Sequence, residues 1–194
     1  MTDAVSPICQ PLIDCVDAAL GANDTEALTA RLRNGLCQLM RDQRLQLPAA
    51  ILTPLGDRYA RRELYRSTRH AYSIVAMTWG PGQGTSIHDH AGLWCVEGIW
   101  QGQLQITRYA LRAHDAAGWR FDAETAFIAG TGSAGSLIPP HEYHTIRNPS
   151  SSAVAISLHV YAEPITCCGV YEPQAGAPGY YQRRERQLSL DPID

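Results

Sequence analysis

The chain has 194 residues, 45% of them hydrophobic and 18% charged, with a formal net charge of −3. That is the size of one domain able to bury a substantial core, and the charge gives no footing on nucleic acid or an anionic membrane. All 16 basic residues are arginine, which excludes a lysine Schiff base, a P-loop lysine and a lysine general base. No apolar run approaches the roughly 18–20 residues of a membrane span. Residues 1–10 lack the basic-then-apolar order of a secretory signal. The expectation is therefore a cytoplasmic protein whose six cysteines remain free thiols.

Residues 1–56 read as helical. Pro11 to Leu20 suggests a short helix. Asn23-Asp24-Thr25-Glu26 has the outline of a capping box, and Leu28, Leu32, Leu36, Leu39 and Met40 follow at three- and four-residue steps, one apolar helix face. Pro48, Pro54 and Gly56 end this pattern. From about Tyr59 the texture changes to short runs rich in Val, Ile, Tyr, Trp and Thr, separated by Gly, Pro, Asn and Ser. Strands are expected near 59–66, 71–79, 84–90, 94–101, 103–110, 119–128, 134–138, 143–147 and 152–161. This spacing suits a sandwich or small barrel and not a parallel α/β sheet. A single domain is expected, mainly β, with a barrel over 57–165 and helices packed outside it. A tail over 166–194 should wrap the barrel as extended loop and cover one mouth.

Five of the seven histidines fall in three compact places. In His88-Asp89-His90, alternate residues of a strand share a face, so both imidazoles can enter a barrel while Asp89 points out. Two imidazoles on one wall make a transition-metal chelate. His141-Glu142-Tyr143-His144 follows Pro139-Pro140. In Ser157-Leu158-His159-Val160-Tyr161 the period of two sets Ser157, His159 and Tyr161 on one face. His70 and His114 have no such company and read as surface residues.

Gly82-x5-His88-x-His90-x4-Cys95-x6-Gly102 has the spacing of the first cupin motif, with cysteine in the usual glutamate place. Pro139-x-His141-x2-His144-x3-Asn148 has that of the second, with His141 where glycine is usual, so His141 is expected to face away. The resemblance implies a cupin β-barrel holding a metal on His88, His90 and His144. With no glutamate ligand, three neutral imidazoles leave the rest of the coordination sphere open.

The chain most closely resembles the cysteine dioxygenase family of cupin thiol dioxygenases, over about residues 55–170. Trp79-Gly80-x-Gly82-x-Gly84-x-Ser86-Ile87-His88-Asp89-His90 is similar to the segment leading into that family's first two iron ligands. His144-Thr145-Ile146-Arg147-Asn148 is similar to its third-ligand segment, and Ser157-Leu158-His159-Val160-Tyr161 to its Ser-His-Tyr relay. Cys95 stands where the mammalian-type enzymes carry a cysteine crosslinked to the relay tyrosine. Tyr59-Ala60-Arg61 resembles the Tyr-x-Arg segment whose arginine clamps the substrate carboxylate. The resemblance implies an Fe(II) dioxygenase placing both atoms of O₂ on the sulfur of L-cysteine to give the sulfinic acid. In that reading Ser157, His159, Tyr161 and Cys95 are catalytic and Arg61 and Tyr59 bind substrate.

The mammalian Ser-Pro step after the relay tyrosine is replaced by Ala162-Glu163-Pro164. Arg61 stands where 3-mercaptopropionate enzymes carry glutamine, which favours an amino-acid substrate. The alternative substrate is another mercapto-acid, 3-mercaptopropionate or mercaptosuccinate; Arg62 keeps the second open, although alternation should turn it away from the site. A non-catalytic metal-binding cupin is the alternative from a different class. Glu97 shares the inward face of Cys95 and needs a partner, either Arg61, another buried arginine or a substrate ammonium. The partners expected are a small thiol and O₂, with neither nucleic acid nor membrane.

Overall fold

A computed structural model describes residues 9–193. Helix α1 spans Gln10–Leu20 and α2 spans Thr25–Arg41. The cap of α2 is Asp24, whose Oδ1 accepts from Ala27 N at 2.7 Å, one residue later than a box begun at Asn23. Eleven strands follow: β1 Ala60–Arg66, β2 Ser73–Trp79, β3 Ile87–His88, β4 Cys95–Gln101, β5 Gln103–Asp115, β6 Gly118–Gly130, β7 Ala134–Leu137, β8 His144–Arg147, β9 Ala155–Tyr161, β10 Cys167–Pro173 and β11 Tyr180–Gln187.

They form two sheets. One runs β1-β2-β9-β4-β7, and the other closes on itself as β10-β11-β6-β5-β8-β3. This is a cupin-type double-stranded β-helix, mainly β as expected. The first sheet is buried on both faces because α1 and α2 cover its outside. Leu12, Leu32 and Leu36 pack with Ile74, Val96, Ile156, Leu158 and Val160. The alternate residues Val75, Met77, Trp79, Cys95, Ile99 and Tyr161 face inward, with Leu104, Ile106 and Ile146 of the second sheet. Period two thus sends the even residues of β9 to the helices and Ser157, His159 and Tyr161 into the barrel. Where α2 crosses β4 the packing is close: a Cβ on Gly98 would lie 2.8 Å from the Met40 methyl, and that flexible side chain would have to shift.

Two expectations are corrected. The segment 166–194, expected as extended loop, contributes β10 and β11, which pair with each other and close the second sheet through β3 and β6. After β11, residues 188–193 run as loop, bonded to Arg61 and Arg62 through Ser189, Asp191 and Pro192. The segment 84–90 is not a full strand: pairing is confined to Ile87–His88, with an isolated bridge from Gly84 to Arg147. The two corrections share a consequence at Asp89. Its side chain does not point to solvent, because β10 lies beside β3. Asp89 Oδ1 accepts from Gly169 N at 2.7 Å and Oδ2 accepts from the Tyr171 hydroxyl at 2.9 Å. Gly169 leaves the space for this, since a Cβ there would stand 2.2 Å from Asp89 Oδ2.

Candidate metal centre

His88 on β3 and His144 on β8 are register partners, and His90 follows two residues after His88. The three rings converge inside the second sheet, with His88 and His144 ring centroids 4.3 Å apart and His90 at 5.4 and 5.1 Å from them. One ring nitrogen from each can be chosen so that all lie within 4.8 Å of one another, and no other such group of three occurs among the described residues.

Their tautomers are set from behind. His88 Nδ1 donates to Ser86 O at 3.1 Å and His144 Nδ1 to Glu142 O at 2.8 Å, leaving each Nε2 with its lone pair free. His90 is braced by Glu142, whose Oε2 accepts from the His90 backbone N–H at 2.8 Å and lies 3.7 Å from His90 Nδ1. Burial holds all three imidazoles below the ordinary histidine range, and the neighbouring rings add to this at His90 and His144. His144 Nε2 is buried without a hydrogen-bond partner. Three neutral imidazoles, with His144 Nε2 and His90 Nδ1 buried and unpartnered, fit a borderline transition metal such as Fe(II). His141 is exposed and outside the group, as are His70 and His114.

The wall facing this cluster is β9 with its neighbours. Cys95 is the register partner of Tyr161 across β4 and β9. Burial, and then the nearby Glu97 and Glu142 carboxylates, pushes the Cys95 thiol well above its ordinary value. Burial, and then the nearby thiol, raises the Tyr161 phenol as well, so it stays protonated. The Tyr161 ring meets His90 edge-on at 5.7 Å and lies stacked on His159 at 6.0 Å. His159 Nε2 is 2.8 Å from Ser157 Oγ, which accepts from Trp79 Nε1 at 2.9 Å. The ring is held neutral: burial lowers it to about 3.

Arg61 projects into the same cavity, and Tyr59 lines it while stacking on Trp79 at 4.4 Å. Arg61 Nη1 donates to Ser189 O at 3.1 Å, whereas Nη2 is buried without a partner. The loop after β11 forms the roof: Asp191 Oδ2 accepts from Arg61 N at 2.8 Å and from Arg58 Nη1 at 2.9 Å. Arg62 turns to the other face, donating to Thr78 Oγ1, Thr53 O and Pro192 O. The cavity among Arg61, His88, His90, His159, Tyr161 and Cys168 is about 30 Å³, room for one or two waters.

Glu97 does not meet Arg61 in a salt bridge. Its Oε2 lies 3.4 Å from His159 Nδ1 and 3.8 Å from His144 Nε2. Burial raises its carboxyl to about 7, and Arg108 is the cation that opposes the shift. Glu142 and Asp89 have no expected role in the sequence reading. Both lie beside a histidine in a motif, which is the only signal available there.

Residues 55–174 match the family described as cysteine dioxygenase type I. The chain is 26% identical over 125 residues to cysteine dioxygenase type 1 of Homo sapiens, covering 61% of this chain and 62% of that protein. It is 25% identical over 127 residues to the Danio rerio protein of the same name, with the same shares covered. The chain thus aligns with less than two thirds of the length of these relatives. Among solved structures, the cupin domain of Schizosaccharomyces pombe Cnp3 aligns at 14% identity and a TM-score of 0.45, covering 62% of this chain and 68% of that one. No helix among the described residues is long and apolar enough to cross a membrane. With the family match extending over more than half of the sequence, the chain belongs to the cysteine dioxygenase type I family of cupin proteins.

Proposed function

We propose that this protein is an Fe(II)-dependent thiol dioxygenase that converts L-cysteine and O₂ to cysteine sulfinic acid. Thiol and O₂ combine without an external reductant, since both oxygen atoms end on sulfur and the sulfur supplies the electrons. The observation that carries the reading is that Arg61, whose buried Nη2 has no partner, lines the same cavity as His88 and His90. A fixed guanidinium beside a three-imidazole cluster suits a small thiol that carries a carboxylate.

His88, His90 and His144 would hold the Fe(II), which would supply a common site for thiolate and O₂ and a path for electrons between them. Arg61 takes the carboxylate through Nη2 and keeps Nη1 on Ser189 O, so its position is set before substrate arrives. Tyr161 remains a phenol and offers its O–H toward the reacting side. Ile165, Cys168 and Leu188 line the cavity, an apolar surface that disfavours water beside the reacting groups. Arg62 is fully engaged on the other face, which removes the second cation that a mercapto-diacid would use. The hydrogen-bonded Ser157–His159 pair beside the cluster supports a catalytic cupin over a passive binder. The six unpaired cysteines support a reducing, cytoplasmic setting.

The test is a thiol panel of L-cysteine, cysteamine, 3-mercaptopropionate and mercaptosuccinate on Fe(II)-loaded protein, scored by O₂ uptake and sulfinate yield. L-Cysteine should give the highest kcat/KM. Preference for either mercapto-acid would reassign the substrate, and no O₂ uptake with any thiol would leave a metal-binding cupin.

A further inference from the structure

The relay on β9 reads in one direction only. The Trp79 indole N–H can donate and never accept, and it points at Ser157 Oγ, 2.9 Å away. Ser157 Oγ in turn lies 2.8 Å from His159 Nε2. The neutral His159 ring carries a single proton, which must sit on one nitrogen or the other. If Nε2 bore it, Ser157 would receive two donors and its own hydroxyl proton would have no acceptor among the described residues. If Nδ1 bears it, the Ser157 hydroxyl donates to Nε2 and every donor up to the ring is used.

The remaining Nδ1 faces Glu97. Glu97 is the cross-strand register partner of His159 in β4 and β9, a relationship that sets two side chains against each other on one face. Glu97 Oε2 and His159 Nδ1 are 3.4 Å apart, and each is buried with no other hydrogen-bond partner. Two orphaned buried atoms of opposite hydrogen-bonding character at this separation complete each other with a small side-chain adjustment. On the other edge of β4, the register partner of Glu97 is Gly135, beside which a Cβ would meet nothing within 4 Å. That space opens as a cavity of about 160 Å³ shared by Glu97 and Arg108, so the carboxylate has room to make the adjustment.

We propose that Glu97 is a positioning residue that ends the chain Trp79–Ser157–His159–Glu97, fixing the Nδ1–H tautomer and the orientation of His159 beside the metal cluster. Tyr161 then stands outside this chain of hydrogen bonds, packed on His159 by ring stacking and opposite Cys95 in the β4–β9 register. The proposal concerns the ring itself and does not depend on which thiol is oxidised.

The experiment is ¹⁵N NMR of histidine-labelled full-length protein, metal-free and Zn(II)-loaded, with the His159 signals assigned by loss in His159→Gln. The wild type should show a protonated Nδ1 and a bare Nε2 at neutral pH. Glu97→Gln keeps an acceptor and should keep that tautomer. Glu97→Leu leaves the Nδ1 proton without an acceptor while Ser157 still favours a bare Nε2, so the ring should become a mixture of the two tautomers. Ser157→Ala should leave the proton on Nδ1. A wild-type ring protonated at Nε2 would overturn the proposal outright, even if Glu97→Leu fails to fold. An unchanged tautomer in a folded Glu97→Leu would also overturn it. So would a tenfold or greater loss of Zn(II) affinity in Glu97→Gln, which would make Glu97 a metal ligand.

Discussion

Replacing Arg61 with glutamine separates a substrate clamp from a structural arginine. The side chain is buried beside the cavity, with Nη1 tied to Ser189 O and Nη2 buried without a partner. The substitution removes two different things. The lost bond to Ser189 O loosens the roof at a cost of about 1 kcal/mol, and that loss is shared by every substrate. The lost contact with a desolvated carboxylate removes a charge-assisted bond and leaves the anion unpaired, together about 2–4 kcal/mol. At roughly 1.4 kcal/mol per tenfold in rate, kcat/KM on L-cysteine should fall by about thirty- to a thousand-fold more than on cysteamine, which has no carboxylate. The assay is O₂ uptake on both thiols with wild type, Arg61→Gln and Arg62→Gln. Because Arg62 donates to Thr78, Thr53 and Pro192 on the opposite face, its substitution should lower stability without changing the substrate ratio. Equal losses on the two thiols in Arg61→Gln would refute the clamp, and a selective loss in Arg62→Gln would reverse the assignment of the strand's faces.

Three further outcomes follow from the geometry. Cys95 and Tyr161 are register partners across β4 and β9, so aerobic turnover should join sulfur to ring carbon. Intact mass should fall by two hydrogens, and the loss should vanish in both Cys95→Ser and Tyr161→Phe. Asp89→Ala leaves the Gly169 N–H and Tyr171 hydroxyl unpaired between β3 and β10. It should cost about 2–4 kcal/mol, which at roughly 2–4 °C per kcal/mol for a domain of this size lowers Tm by about 4–16 °C in a thermal melt. His88, His90, His144 and His159 are all held below the ordinary value of 6.5. Below that pH the unfolded chain binds protons that the folded rings refuse, so metal-free stability is present above 6.5 and is lost as pH falls. Each ring contributes a slope of about 1.4 kcal/mol per pH unit. The raised Glu97 and Glu142 act oppositely, gaining stability as pH falls through their raised values, but they are fewer. Chemical denaturation of metal-free protein from pH 7.5 to 5 should therefore show a falling midpoint that Zn(II) restores.

What the sequence discloses is local periodicity. Leu32 and Leu36 of α2 repeat at helical steps, and Ser157, His159 and Tyr161 at strand steps, and both sets face where the period puts them. The convergence of His88, His90 and His144 was legible because motif spacing encodes which strands become neighbours. The strand β11 was hidden because Arg183-Arg184-Glu185-Arg186 is a charged run with no apolar alternation, held in the sheet by backbone pairing with β10. With β10 and β11 unseen, Asp89 had no visible partner and read as a solvent residue. Glu97 was legible as inward-facing from its distance to Cys95, but His159 and Arg108 come to it from other strands, so no local pattern names them. The brace of His90 by Glu142 spans the gap between two motifs and depends on the fold alone.

Anaerobic loading of the full chain with Fe(II), followed by L-cysteine and a measured pulse of O₂, reads out the chemistry at the three-histidine cluster. O₂ consumed and sulfinate formed should match one to one, and His144→Ala should abolish both. O₂ consumption that yields only cystine, or none at all in iron-loaded protein, would contradict the account.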